Sequence, residues 1–419
     1  MKNLQLVGYC PESDISHYKW YPNGELIKDL LLDYAFFKIA LPWGAMKIRN
    51  PLLYRKDLEE IRNLQGEFHE RGYDIEIDEK PFVLRFASDT GAFPFVKRMS
   101  FSHKNMPIKI YEEAMCFRKE QSGEVVGLFR LRNFLMTDHH AFCINEEQAM
   151  EEYLKLSRLF SSLMDSLLGQ YWVFGFEAVE EFYEKYKESI FKRVVKESCK
   201  PAFIKIMKEM KHYFAFKSEY QFVSPGGQNI QMSTVQWDVK NGERFKIEYV
   251  NADGKKVPVP IILHASSLGS IERTLAALLE KAEWERLKGK LPSLPLWLSP
   301  EQVRILPVSK KYLPYCEEIA KKIEEYKIRV GIDDRDITLP RKIVESRKDW
   351  IPYVVVVGEK EVKTQKLSVT VRSKSTANQT YTELLSIEEL TKKIREETSV
   401  YPFRPLYISK YLSRRPIFR

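Results

Sequence analysis

The sequence predicts an α/β protein: a large antiparallel sheet flanked by helices, followed by a smaller α/β unit. Three observations carry this reading. Between Pro81 and Cys143, short runs rich in β-branched and aromatic residues follow one another as hairpin strands do. An apolar stripe at alternating steps of three and four comes next, and beyond residue 300 strand-like runs alternate with helical ones.

Over 24–40 the residues Leu26, Ile27, Leu30, Leu31, Tyr34, Ala35 and Phe37 recur at helical spacing, and the pattern stops at Leu41-Pro42-Trp43-Gly44. A long amphipathic helix is expected there. The runs 82–86, 108–118, 124–135 and 139–143 read as strands, with Gly123 between the second and third. Tyr153, Leu156, Phe160, Leu163 and Leu167 share one face of a helix over 145–169. Further strands are expected at 213–223, 229–238, 245–250 and 257–264, and Gly269 opens a helix that runs to Arg286. Pro292, Pro295 and Pro300 punctuate a stretch that resists helix, which sets a first domain over 1–290, a linker over 291–300 and a second domain over 301–419. In the second domain, strands at 303–308, 328–332, 353–357 and 367–371 alternate with helices at 310–325, 339–347 and 387–397. That order implies a mostly parallel sheet.

With 44% hydrophobic and 30% charged residues, the composition of the 419-residue chain excludes a largely disordered one. A net charge of +9 favours phosphates or acidic surfaces as partners. Cys10, Cys116, Cys143, Cys199 and Cys316 lie far apart without a Cys-x-x-Cys pair, so neither a disulfide framework nor a zinc ribbon is indicated. No stretch approaches the roughly 20 apolar residues of a membrane helix, and the first residues lack a signal-peptide pattern. No membrane partner is expected, and the cytoplasm is the expected compartment.

The densest chemistry lies in Phe117-Arg118-Lys119-Glu120-Gln121-Ser122-Gly123 and the returning Gly127-Leu128-Phe129-Arg130-Leu131-Arg132-Asn133-Phe134. Residues two apart on a strand point to one side, so Arg118 can grip a phosphate while Glu120 meets an amine. The return of the hairpin brings Arg130 and Phe134 to the same neighbourhood. Such a face suits ATP.

This segment resembles motif 2 of the class II aminoacyl-tRNA synthetases, and is most similar to the archaeal threonyl type. Gly44-Ala45-Met46-Lys47-Ile48-Arg49-Asn50-Pro51 resembles motif 1, whose proline lies at a dimer interface, and Leu268-Gly269-Ser270-Ile271-Glu272-Arg273 resembles motif 3. Trp297-Leu298-Ser299-Pro300-Glu301-Gln302-Val303 and Gly358-Glu359-Lys360-Glu361-Val362 are similar to the family's anticodon-binding domain. The resemblance implies ATP and Mg2+ as cofactors, tRNA(Thr) as partner and a homodimer. It implies Arg118 at the α-phosphate, Arg130 and Arg273 at the terminal phosphates, Glu120 at the adenine amine or the tRNA end, and Phe134 stacked on adenine. Gln231 and Gln236 match glutamines around the ribose and aminoacyl groups, and Asp138 the aspartate that meets the amino acid. His69 sits where the family places a candidate base for the ribose hydroxyl. Asp336, Glu361 and Arg372 occupy positions similar to anticodon contacts.

Threonine and valine are nearly isosteric, and an apolar pocket separates them only about a hundredfold. In the family a zinc ion held by Cys, His and His binds the hydroxyl. His140 and His264 match the histidines, but Asp89, in Phe86-Ala87-Ser88-Asp89-Thr90-Gly91, stands where the cysteine belongs. Carboxylate oxygen is an acceptable, harder zinc ligand. Two readings stay open: Asp89 completes a Zn2+ site, or it meets the substrate's ammonium group directly. Serine lacks only a methyl, worth about 1–3 kcal/mol, and motif 1 begins at Gly44 with no space before it for the family's editing domain. A separate trans-editing protein is therefore expected. The alternative to a threonine ligase is a synthetase-like paralogue that binds tRNA or regulates, with its amino-acid specificity altered or lost.

Overall fold

The computed structural model describes residues 4–67 and 71–418, and the chain divides into two compact units. One comprises Asp14–His17 and Ala35–Ala277; the other gathers the residues up to Ser13, Tyr18–Tyr34 and the chain from Leu278 onward.

The first unit is built on an eight-stranded sheet. Its strands are β1 (Met46–Ile48), β2 (Ile108–Phe117), β3 (Asn133–Cys143), β4 (Trp172–Val179), β5 (Ala202–Met207), β6 (Phe214–Val223), β7 (Asn229–Asp238) and β8 (Ile261–Ser270). They lie in the order β5-β4-β6-β7-β8-β3-β2-β1. Neighbours are antiparallel except at the two edges, where β5 runs parallel to β4 and β1 to β2. Helix Glu146–Leu168 packs its stripe of Tyr153, Leu156, Phe160, Leu163 and Leu167 against one face of this sheet, and Asn145 caps its start. The opposite face is left to carry a cleft.

Several local expectations are corrected. The run 124–135 is not one strand: β3 starts at Asn133 and absorbs the strand expected at 139–143. Glu124 accepts from the Gln121 N–H at 3.0 Å and Gly127 takes φ +46°, so the chain turns tightly before the strand begins. The helix over 24–40 is α-helical only over Pro22–Tyr34 and continues as a π-turn over Ala35–Ala40. Pro42 lacks the N–H that an α-helix would direct back by four residues. The segment 245–264 holds a small hairpin, Glu248–Val250 with Lys256–Pro258, before β8. Strands β4 and β5 and helix Asp89–Lys97 were not expected.

Gly269 does more than precede a helix. It has φ +60°, and a Cβ there would sit 2.5 Å from the Met232 carbonyl oxygen. Only glycine fits where this irregular end of β8 crosses β7, and helix Ile271–Leu287 starts two residues on.

In the second unit Val303–Pro307 lies between Val330–Ile332 and Tyr353–Val357, parallel to both. Leu367–Val371 and Thr382–Leu385 then add antiparallel, so the sheet is mixed rather than mostly parallel. The connection 358–366 is shorter than the roughly dozen residues that a parallel crossover needs. Ile319 and Ile323 of helix Leu313–Glu324, with Leu390 and Ile394 of helix Ile387–Thr398, close the core over Val303, Ile305, Val355 and Val369. Arg329 pins the proline-punctuated stretch by donating to the carbonyls of Trp297, Ser299 and Pro300. Among the described residues no helix is long and apolar enough to cross a membrane.

Candidate active site

Alternation along three adjoining strands builds one cleft of about 640 Å³. From β3 come Phe134, Met136, Asp138 and His140, from β8 His264 and Ser266, and from β7 Thr234 and Gln236. His140, His264 and Gln236 face one another across the strands as one row; Asp138, Ser266 and Thr234 form the next. Gln231 lies an odd number of residues from Gln236, which on a regular strand would put it on the far face. A slip in register opposite Glu219 and Gln221 turns it back, and both glutamines line the cleft. His139 shows the other half of the alternation: its ring packs 5.6 Å from Phe160, and burial pushes its imidazole down to about 3. It is a neutral core residue.

One end of the cleft is cationic. Arg118 donates from Nε to the Phe86 carbonyl at 2.9 Å, and its guanidinium lies 5.2 Å from the Phe134 ring centroid. Arg273 donates to the carbonyls of Phe129 and Gln231, each at 3.0 Å. Carbonyl acceptors fix the direction of a guanidinium without cancelling its charge. Burial pushes Arg273 below the usual arginine range, and the neighbouring charges of Arg118 and Arg130 push it further. Repulsion of that kind is relieved by a bound polyanion. Glu120 is buried and accepts from Arg71 and, at 2.9 Å, from Arg130. Arg71 also reaches Glu124 at 3.0 Å.

The other end holds Asp89, His140 and His264, whose ligating atoms lie within 4.8 Å of one another. Asp89 Oδ1 is 2.9 Å from His140 Nε2 and 3.1 Å from His264 Nδ1. Donor atoms around tetrahedral zinc stand roughly 3.3 Å apart, so an oxygen and two nitrogens at this spacing fit the ion after a small expansion. His264 Nε2 donates to Asp238 Oδ2 at 2.8 Å. Burial alone would lower the His264 imidazole, but the carboxylates of Asp89 and Asp238 raise it to about 10. Burial likewise opposes the charge on Asp89, yet His264 and His140 hold its carboxyl well below the usual range. Asp138 differs: burial pushes it up.

The cleft thus gathers Asp89, Arg118, Glu120, Arg130, Phe134, Asp138, His140, Gln231, Gln236, His264 and Arg273. His69 lies outside the described residues. In the second unit Asp336 is exposed and pairs with Lys310 at 3.0 Å, whereas Glu361 is buried and accepts from the Gly358 N–H at the start of its helix. Arg372 is also buried and donates to the carbonyls of Pro292 and Arg347.

Arg71 and Tyr213, which line the cleft, and Asp238, which holds His264 from behind, escape the sequence reading. The Tyr213 hydroxyl donates to Gln236 Oε1 at 2.8 Å, and burial, with the charges of Asp89 and Asp238, raises its phenol well above the usual range. Asp238 was within reach, since it stands two residues beyond Gln236 on the same strand. For Arg71, which lies outside any strand or helix, the sequence offers no signal.

Comparisons with known proteins agree with this geometry. Residues 73–282 match the family model of the tRNA synthetase class II core domain (G, H, P, S and T), and residues 302–397 that of an anticodon binding domain. Threonine–tRNA ligase of Methanosarcina mazei is 40% identical over 100% of this chain and 66% of its own length. That of Methanocaldococcus jannaschii is 39% identical over 100% of this chain and 67% of its own. The chain therefore spans about two thirds of the length of these curated relatives. The crystal structure of the RNA binding domain of threonyl-tRNA synthetase from Cryptosporidium parvum Iowa II has a TM-score of 0.79 at 24% identity, covering 96% of this chain and 97% of that one. A putative threonyl-tRNA synthetase from Aeropyrum pernix has a TM-score of 0.74 at 17% identity with the same coverage. At these identities the two structures speak to the fold alone. By its matched core, its anticodon-binding domain and its full-length similarity to these ligases, the chain belongs to the class II aminoacyl-tRNA synthetases, in the threonine–tRNA ligase family.

Proposed function

We propose that the chain activates threonine with ATP and transfers it to the 3′ end of tRNA(Thr). One observation carries the reading: a single cleft joins a cluster of guanidiniums to a carboxylate–imidazole donor set. A triphosphate and an amino acid laid along that cleft meet between the two ends. Arg118 lies where the α-phosphorus reacts, Arg130 and Arg273 hold the terminal phosphates with Mg2+, and Phe134 supports adenine. Glu120 orients the adenine amine or the tRNA end. Threonine's carboxylate attacks the α-phosphorus, the acyl–phosphate bond forms and pyrophosphate leaves. Fixed guanidiniums stabilise the charge that grows on the equatorial oxygens more than they stabilise the ground state. Gln231 and Gln236 position the ribose and aminoacyl groups, and Asp138 the amine. The terminal ribose hydroxyl of tRNA then displaces AMP, with His69 as the sequence's candidate base.

Zinc held by Asp89, His140 and His264 would supply a Lewis acid for the substrate's amine and hydroxyl. The metal-free reading rests on a specific observation: Asp89 already accepts from both histidines. Metal analysis of the purified protein separates the two, since threonine activation without zinc leaves Asp89 to select the substrate by hydrogen bonding.

In the second unit Asp336 presents its carboxylate to solvent as a contact for the anticodon, and Glu361 and Arg372 shape that surface. A homodimer fits the exposed Phe37, Leu41, Met46 and Leu52 close in sequence to the free edge strand β1. In the cytoplasm, these 419 residues alone would also form seryl-tRNA, whose hydrolysis falls to a separate protein.

ATP–pyrophosphate exchange with threonine, serine and valine tests the proposal. Exchange is expected to be strongest with threonine, weaker with serine and weakest with valine. Exchange with none of the three would transfer the chain to the tRNA-binding, regulatory reading.

A further inference from the structure

We infer that Asp238 is a positioning residue for the metal-binding end of the cleft: it holds the His264 ring with a proton on Nε2, so that Nδ1, which faces Asp89, is the nitrogen left to ligate the ion. The inference rests on the proposed metal reading and extends it to a residue outside the donor set.

The geometry is that of a carboxylate locked before it meets the ring. Asp238 is buried, and its Oδ1 accepts from the backbone N–H groups of Lys240 at 2.7 Å and Asn241 at 2.9 Å. Those bonds close the turn after β7 and leave Oδ2 aimed at His264 Nε2, 2.8 Å away. The ring is held from its sides as well. Phe93 lies edge-on at 5.7 Å between centroids, His140 at 5.0 Å and Tyr213 at 5.1 Å. Nδ1 consequently points at Asp89 Oδ1, the atom that also meets His140. A metal ion binds the imidazole only after one proton has left it, and an acceptor fixed at Nε2 keeps the remaining proton there and off Nδ1. Outer carboxylates of this kind also make the ligating nitrogen more basic.

Asp238→Asn separates this role from folding. Asparagine keeps Oδ1 for the turn but presents an NH2 group to His264, which favours the tautomer with the proton on Nδ1. The measurement is zinc affinity of the full chain by competition with a chelator, beside ATP affinity as a control. Asp238→Asn should bind zinc about 10- to 100-fold more weakly than wild type, with ATP affinity unchanged. Should it not hold ATP, Asp238→Ser, whose hydroxyl can close the same turn, takes its place with the same expected loss. Zinc affinity within twofold of wild type, in a variant that holds ATP normally, overturns the inference alone. A wild-type chain that takes up no zinc overturns the inference and the metal reading together.

Discussion

Two arginine-rich regions of this molecule use the same side chain in opposite ways. In the cleft, Arg273 is aimed by the backbone carbonyls of Phe129 and Gln231, neutral acceptors that orient the guanidinium and leave its charge in place. In the second unit, Arg304 donates to Glu301 at 2.7 Å and to Asp349 at 2.6 Å, and Arg415 reaches the same Glu301 at 2.7 Å. The titration directions follow. Burial and like charge push Arg273 down. Burial also opposes the charge on Arg304, but Glu301 and Asp349 outweigh it and push its pKa up. The closed cluster takes its counter-charge from carboxylates of the protein, whereas Arg273 is aimed by neutral carbonyls and is suited to a polyanionic ligand.

The largest expected effect lies in the closed cluster. Arg304→Ala removes one of the two guanidiniums that hold the buried Glu301; loss of a buried partner costs about 3–5 kcal/mol, and the Arg415 that remains sets the loss at the lower end of that range. The thermal transition of the full chain should fall by several degrees; a change near zero would mean that the cluster contributes nothing. Arg273→Ala comes next and should act on rate instead. Pyrophosphate exchange should drop about 100- to 1000-fold, the loss expected for one preorganised donor, while thermal stability changes little.

A pH series distinguishes the regions again. Burial alone would raise the Glu301 carboxyl, yet Arg304 and Arg415 lower it from 4.5 to about 2. A depressed folded-state pKa means stability that is full above pH 4.5 and lost as pH falls towards 2. Wild type should therefore lose thermal stability across that window more steeply than Glu301→Gln; parallel curves would contradict the cluster's role. The smallest effect is assigned to Arg71→Ala. Its pair with Glu120 is partly exposed, so the loss is about 1 kcal/mol, read as a rise of about fivefold in the KM for ATP.

How much of this was legible in the sequence depended on whether alternation or a turn decided the outcome. The stripe from Tyr153 to Leu167 and the strand carrying His140 followed from periodicity, because one face of each meets the core. Strand β4 did not, since Gly175 interrupts its aromatic run and the strand passes directly into helix Glu180–Tyr186. The turn at Gln121–Arg130 escaped because a side-chain cap and a positive φ at Gly127 override local β propensity. At the site, the resemblance to the family's motifs pointed to Arg118, Arg130 and Arg273, three of the four arginines that line the cleft, and to both histidines. It could not show that Glu120 is held by Arg71, since their contact joins distant segments, nor that a register slip turns Gln231 inward.

On the proposed function, the two ends of one cleft serve one reaction. Calorimetric titration with a non-hydrolysable threonyl-sulfamoyl adenosine, which spans both ends as the threonyl-adenylate would, tests it most directly. Binding at least about a hundredfold tighter than ATP or threonine alone is predicted, and it should weaken in both Arg118→Ala and His264→Ala. An analogue that binds no tighter than ATP, or that is indifferent to either substitution, would contradict the claim.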